Sequence, residues 1–426
     1  MNIVLRHLSA VGVALASLWG GVAHADGQDA KPEGNPLRIN GFGTIGLTSS
    51  FAPPGWFFRR DAAQYPEPKS TALETDSRLG LQAHYEVNPQ LELASQVVLK
   101  RRLRGSKPIE SVEWLFASYQ PVDAVTVRVG RTNPDLFLLS DYRNVGVAYP
   151  WVRPNTEFYA ALPLYTIDGA DVSYTWTRDD ARWRVKAFTG GADARAALAS
   201  SPEQVEFQLR SAFGALVTRE QDGLLMRATL AGARLTAKSS AEAYQAQAVL
   251  QSLQSSPDPT VVSQAAELER NWGLAPDTAI FAELGVSYDR DDWLWSAEYS
   301  RVAVSTGTRS GQAGYVSVGR RFGDVTLYGM AGRMVSKLGV QSTPDWSGLG
   351  ALAQQVATEV AYGINSSRAR QTSLSLGTRW DIHPQMALKL QLDHYWVSEM
   401  GGGLWVGPSM GAAQPNVLSA TMDFTF

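Results

Sequence analysis

The chain ends Leu418-Ser419-Ala420-Thr421-Met422-Asp423-Phe424-Thr425-Phe426. Every even position is apolar and every odd position between them is polar or charged. Side chains alternate across a strand, so this segment reads as a strand with one apolar and one polar face. The pattern recurs upstream. Leu388, Leu390 and Leu392 alternate with Lys389, Gln391 and Asp393. Leu79, Leu81, Ala83 and Tyr85 alternate with Arg78, Gly80, Gln82 and His84, and Val125, Val127 and Val129 with Thr126, Arg128 and Gly130.

Working outward from these, the period places strands at 37–48, 77–87, 90–102, 109–120, 124–131, 166–176, 182–189, 205–218, 223–238, 278–289, 293–304, 311–322, 325–337, 370–382, 387–398 and 416–426. The connections between them alternate strictly. Seven are tight and polar, such as Asn88-Pro89, Arg219 to Asp222 and Gly323-Asp324. The rest are mostly long: 49–76, 103–108, 132–165, 190–204, 239–277, 305–310, 338–369 and 399–415. Sixteen amphipathic strands with short and long connections in turn predict an all-β chain. The architecture is a transmembrane antiparallel up-and-down β-barrel with short periplasmic turns and long outer loops. A soluble sandwich gives no reason for that asymmetry. Aromatic residues bracket the short turns (Trp176 and Trp183, Tyr288 and Trp293, Phe322 and Tyr328, with Trp380 and the terminal Phe424 and Phe426), as a girdle at one membrane interface would.

Composition is compatible with this. The chain has 426 residues, 38 Lys+Arg against 41 Asp+Glu, 44% hydrophobic residues and no Cys. Its mean hydropathy is -0.16, too polar for a bundle of membrane helices. A barrel wall needs apolar residues only at alternate positions, so that value does not exclude spanning lipid. Near-neutral charge gives no sign of nucleic-acid binding. Without Cys there are no disulfides, thiolate metal sites or cysteine nucleophiles. Met1 to Ala25 reads as a signal peptide, with Arg6 and His7, an uncharged apolar Leu8 to Val22 and the cleavage site Ala23-His24-Ala25. Residues 26–36 then form a periplasmic N-terminal segment, and 37–426 the barrel.

No catalytic constellation emerges. Gly41-Phe42-Gly43-Thr44-Ile45-Gly46 matches G-x-G-x-x-G, but the strand period runs through it and no helix follows. It reads as small residues where a strand bends or a neighbour approaches. His84, His383 and His394 lack ligand spacing, so no metal site and no cofactor are expected. The acid pairs Asp179-Asp180 and Asp291-Asp292 lie in tight turns and fit turn chemistry. Within 239–277, apolar residues recur at helical spacing on either side of Pro257 and Pro259, which predicts short surface helices.

Segment 132–165 is unusual for a water-exposed loop, because it carries Leu136, Phe137, Leu138, Leu139, Tyr149 and Trp151. Two placements satisfy it: inward, narrowing a lumen, or over a subunit interface. Folded inward, it brings Asp135, Asp141, Arg143, Arg153 or Glu157 into a pore as a constriction loop. On the strands, Arg38, Arg78, Lys100, Arg128, Arg184 and Lys186 fall on the polar face, interspersed with acids such as Glu113. Arg379, Lys389 and Asp393 join them late in the chain as expected pore-lining residues. Such a row either sets a transverse field that biases which ions pass, or is a set of solvated lumen charges.

Together these features resemble Gram-negative outer-membrane porins. The stretch Tyr149-Pro150-Trp151-Val152-Arg153-Pro154 after Val129-Gly130-Arg131-Thr132 is similar to a proteobacterial porin-like group. So are Leu376-Gly377-Thr378-Arg379-Trp380-Asp381-Ile382 and Ala387-Leu388-Lys389-Leu390. The resemblance implies a water-filled channel in the outer membrane for passive diffusion of small hydrophilic solutes or ions. It also implies a homotrimer among outer-membrane lipids and lipopolysaccharide, and a terminal Phe426 read by the outer-membrane assembly machinery. Relatives with arginine-lined, phosphate-selective pores make an anion bias an expectation. The alternative is a structural or adhesive barrel with a plugged lumen and partner-binding loops.

Overall fold

The computed structural model describes residues 35–65, 69–160, 162, 164–197, 204–274, 276–304, 310–407 and 411–426. The expected signal peptide and nearly all of the 26–36 segment lie outside these.

Sixteen long strands form the sheet: β1 (Leu37–Phe51), β2 (Arg78–Asn88), β3 (Leu91–Lys100), β4 (Val112–Val122), β5 (Val125–Thr132), β6 (Ile167–Arg178), β7 (Ala181–Ala197) and β8 (Gln204–Gln221). They continue with β9 (Leu224–Lys238), β10 (Asp277–Arg290), β11 (Trp293–Val304), β12 (Gly311–Phe322), β13 (Val325–Ser336), β14 (Ala369–His383), β15 (Met386–Gly402) and β16 (Asn416–Thr425). Each pairs antiparallel with the next. β1 and β16 close the ring from Phe42↔Thr425 to Phe51↔Asn416. A two-residue bridge, Thr71–Ala72, adds to β1 within the first long connection. Closure leaves no unpaired sheet edge, the condition for a β-structure to cross lipid. No described helix is long and apolar enough to cross a membrane.

The two faces are inverted relative to a soluble core. Outward Leu47, Leu81, Leu230, Leu284 and Leu376 are exposed, while inward Gln96, Lys186, Ser317, Gln391 and Asp423 are buried. A belt of exposed leucines is solvated by acyl chains and opposed by water. At the short-turn end the outward rings form the girdle. Trp176 stacks on Trp183 with centroids 6.1 Å apart, Tyr288 on Trp295 at 5.5 Å, and Trp293, Phe322 and Trp380 are exposed. Tyr328 is not part of it. It shares the inward parity of Thr326 and Met330, and its hydroxyl donates to Gln391 Oε1 at 2.8 Å.

The turns follow from their residues. Asp179 and Asp180 have φ of 51° and 59°, and Asp291 and Asp292 53° and 65°. Positive φ at both central positions is the type I′ geometry that suits the twist of a hairpin, and Asp tolerates it. The acid pairs are therefore turn residues. The glycines of the G-x-G-x-x-G match admit close neighbours: the rings of Phe426 and Phe424 occupy the space that a Cβ on Gly41 and Gly43 would fill.

Two strands run further than their period indicated. β7 continues to Ala197 past a bulge at Gly190/Ala192, where the alternation breaks but the pairing does not. β15 continues to Gly402. In the long connections, α1 is the single turn Thr156–Tyr159, and α2 (Ala241–Leu253) and α3 (Pro259–Trp272) are the expected pair, the second starting on Pro259 with Asp258 as its cap. A further helix, α4 (Ala351–Ser367), packs with them around Leu250, Leu268, Trp346 and Val360 at the long-loop end.

Candidate functional site

The described residues of segment 133–166 lie inside the barrel. Leu136, Phe137, Tyr149, Trp151 and Phe158 are buried in one cluster with wall residues Phe188, Phe281, Tyr315, Tyr328 and Met330. The loop is shaped locally first. Asn133 Nδ2 donates to Ser140 O at 2.8 Å, Ser140 Oγ accepts from Phe137 N at 2.8 Å, and the Asn155 side chain caps α1 by accepting from Phe158 N at 3.1 Å. Gly146 passes so close to Asp423 that a Cβ there would meet its carboxylate.

Ionic anchors then fix the loop to the wall on opposite sides. Arg153 donates Nη2 to Asp76 at 2.6 Å and Nη1 to Asp393 at 2.8 Å, and also reaches Ser419. Burial alone would raise the Asp76 carboxyl, but the Arg153 charge and hydrogen bonds hold it at about 2. Across the lumen, Asp135 meets Arg227 at 2.7 Å, Arg184 at 3.2 Å and Lys186 at 3.4 Å. Its pKa is opposed by burial yet driven well below the usual carboxylate range by those three cations, Arg227 foremost. Among the described residues, Glu157 has no such cation. It accepts from Gln371 Nε2 at 2.6 Å and Ser373 Oγ at 2.7 Å, and burial raises its pKa.

Backbone carbonyls take the remaining anchors. Lys389 Nζ donates to the carbonyls of Gly146, Tyr149 and Trp151 at 2.7, 2.8 and 2.8 Å and pairs with Asp423 at 2.9 Å. Arg379 Nη1 reaches Val147 O at 2.7 Å, and Arg78 Nε reaches Asn144 O at 2.5 Å. Asn144 also donates to Glu113 at 2.8 Å, and Glu113 pairs with Lys100 at 2.9 Å. Arg143 is buried with its guanidinium 3.9 Å from the Tyr165 ring centroid, and Asp141 is half-buried on the loop.

The expected residues thus come together around one loop, but their charges are largely matched. Arg128 is bidentate to Asp171, with Nη2 at 2.8 Å. Arg38 stands apart at the short-turn mouth, 59% exposed and 2.7 Å from Glu92. Half-exposed polar side chains on the inner faces of β2 to β6, among them Gln82, His84, Ser118, Thr126 and Ser173, show water reaching the lumen from that mouth. On the other side of the loop, Arg60, Asp61, Gln64, Lys100, Arg143 and Tyr165 line a small polar cavity of about 40 Å³.

Sequence reading missed Arg227, Glu298, Ser317 and Gln371, which meet the loop from the wall: Glu298 accepts Leu138 N at 2.8 Å and Ser317 accepts Trp151 Nε1 at 2.7 Å. The alternation places Glu298 and Gln371 on the inward face, whereas it is blurred around Arg227 and Ser317. Asp76 had no signal, since it lies outside any strand. Among the described residues no group of three or more His, Asp or Glu is placed to hold a metal ion.

A closed sixteen-stranded barrel with a long loop folded into its lumen is the architecture of the outer-membrane porins. No family model and no curated protein matches the sequence. Among solved structures, the anion-selective porin from Comamonas acidovorans is similar at 12% identity with a TM-score of 0.50, covering 92% of this chain and 100% of its own. The outer-membrane expressed OmpT of Vibrio cholerae gives 13% identity and a TM-score of 0.49, covering 92% of this chain and 99% of its own. OprB of Pseudomonas putida gives 9% and 0.48, covering 92% and 94%. At such identities the likeness is one of fold: the chain has the sixteen-stranded porin fold.

Proposed function

We propose that this chain is an outer-membrane channel through which small hydrophilic solutes or ions diffuse without energy input, and not an enzyme. The observation that carries the reading is the loop 133–166 inside the barrel, anchored through Asp135 on one side and Arg153 on the other. A constriction fixed in this way narrows the lumen without closing the barrel. The polar inner face of β2 to β6 is the side along which hydrated solutes pass. Lys100 and Arg128 line that side, with Arg184 and Lys186 beside it on β7, facing Asp141 and Arg143 of the loop. Arg38, Arg78, Glu113, Arg379, Lys389 and Asp393 complete the lining or hold the loop. Because most of these charges are paired, the anion bias is weak.

In this reading the chain is exported to the Gram-negative outer membrane after removal of Met1 to Ala25. It sits among lipids and lipopolysaccharide as a homotrimer, and Phe426 is its assembly signal. Planar-bilayer recording tests it: discrete, stable conductance steps are expected. A plugged structural barrel is the second reading, favoured by the apolar cluster of Phe137, Trp151, Phe158 and Phe281 inside the lumen. A folded trimer that conducts nothing supports that reading instead.

A further inference from the structure

The inner wall of β7 to β13 changes character along its length. On β9 the inward residues begin with Arg227 and Thr229 and continue as Ala231, Ala233, Leu235 and Ala237. On β11 Ser296 and Glu298 give way to Val302 and Val304, and on β10 Phe281 stands above Glu283. On the outward face, the exposed Leu230, Tyr299 and Leu327 give way toward the long-loop end to the exposed Arg234, Arg301 and Arg333. At the long-loop end the usual polarity is therefore reversed, with the apolar side facing inward. Lipid does not account for the apolar inner side.

The apolar inner wall encloses a cavity of about 360 Å³. Its base is formed by Phe137, Phe158 and Leu164 of the inserted loop. Ala194, Phe207, Leu235, Phe281 and Met334 form its sides, and Ile364 of α4 with Trp272 of α3 borders it from the long connections. That volume lies in the range of small-molecule sites, which combine apolar walls with a few polar groups. Ser239, Ser300, Ser336 and Ser367 set a few hydroxyl-bearing residues among these apolar side chains.

Among the described residues of the lining, Arg59 alone is charged. It is 3% exposed and donates Nε to Leu404 O at 3.1 Å, Nη1 to Ala197 O at 2.8 Å and Nη2 to Gly403 O at 2.7 Å. Among the described residues no carboxylate lies within ion-pair distance of it, unlike Arg128, Arg153 and Arg227. Burial lowers its pKa to about 10, only partly offset by Asp61. A guanidinium has five N–H donors, and carbonyls take three of these. The cavity thus joins an apolar chamber to a buried cation whose charge is unmatched by an acid.

We propose that this cavity binds a compact aromatic or alicyclic monocarboxylate, its ring against Phe207, Phe281 and Met334 and its carboxylate on Arg59. This is a site distinct from the hydrated path along β2 to β6, and it does not depend on the passage of ions.

The test is binding of 2-naphthoate to the full chain in lipid nanodiscs, read by ligand fluorescence against empty nanodiscs, with neutral 2-naphthalenemethanol alongside. The wild type is expected to bind naphthoate saturably and one to one. Ala194→Phe, which fills the chamber, is expected to remove binding of both compounds. Arg59→Met is expected to weaken naphthoate about tenfold, the scale of a hydrogen bond to a charged group, and to leave the alcohol within about threefold. No saturable binding by the wild type overturns the site, as does wild-type affinity in Ala194→Phe. Equal weakening of acid and alcohol in Arg59→Met overturns the carboxylate contact. Conductance recorded on the same protein separates the two proposals. Conduction without naphthoate binding refutes this site alone, and binding without conduction refutes the channel alone.

Discussion

Arg153→Met tests how the loop is held. Arg153 is buried between Asp76 and Asp393, with 1% of its own side chain exposed, 0% of Asp76 and 2% of Asp393. Methionine keeps the apolar stem beside the Phe58 ring but removes the charge that both carboxylates share. Two buried anions are then left without their common cation. Removing one partner of a buried ion pair costs about 3–5 kcal/mol. The depression of Asp76 from 3.8 to about 2 gives an independent scale of about 2 kcal/mol at ~1.4 kcal/mol per pKa unit. A loss of about 3 kcal/mol raises the population of detached loop about a hundredfold. Limited trypsinolysis reads this directly, because cleavage of a transiently open segment follows its open population. Arg143, buried in the folded loop, is the diagnostic site. The wild type is expected to resist cleavage there, and the variant to be cut about a hundredfold faster while the barrel stays heat-modifiable. Adding Asp76→Asn and Asp393→Asn is expected to restore part of the protection. Equal cleavage rates in wild type and Arg153→Met would refute the anchoring argument.

Acid is expected to act on the same contact. The folded pKa of Asp76 lies below its unfolded value, so its contribution is complete above about pH 4 and is lost as pH falls toward 2. Protease protection at Arg143 should hold from pH 7 to about 4 and decline below, whereas a decline starting near pH 6 would contradict this. Asp135→Asn leaves Arg227, Arg184 and Lys186 without their shared loop anion, so the reversal potential in a salt gradient should move toward anion preference. An unchanged potential would remove Asp135 from the ion path. Gly146→Val drives a branched side chain into Asp423 and the loop off Lys389, so it should raise cleavage at Arg143 as Arg153→Met does.

The barrel was legible because lipid imposes a period of two on its strands, and Arg78–Asn88 and Asn416–Thr425 run as the alternation indicates. Legibility failed where the period is interrupted without loss of pairing, as at Gly190, and where proximity to a turn was read without parity, as for Tyr328. The loop announced itself through apolar residues that water would not tolerate. Its attachments did not, because Arg153 meets Asp76 and Asp393 across separations of 77 and 240 residues. The matching of charges was equally hidden. A row of cations on one face looks like an open field until the third dimension supplies Asp135 and Asp171. In 223–238 the alternation is blurred for a related reason: the inward Ala231, Ala233 and Leu235 of β9 are apolar, so polarity no longer tells the two faces apart.

The central claim is that the inserted loop narrows the lumen and leaves a water path along β2 to β6. Single-channel recording in planar bilayers measures it most directly, on wild type and on Arg128→Glu, whose side chain lies on that path. The account predicts discrete conductance steps in the wild type and a shift of the reversal potential toward cations in the variant. A folded protein that conducts nothing, or a potential indifferent to the charge at position 128, would contradict it.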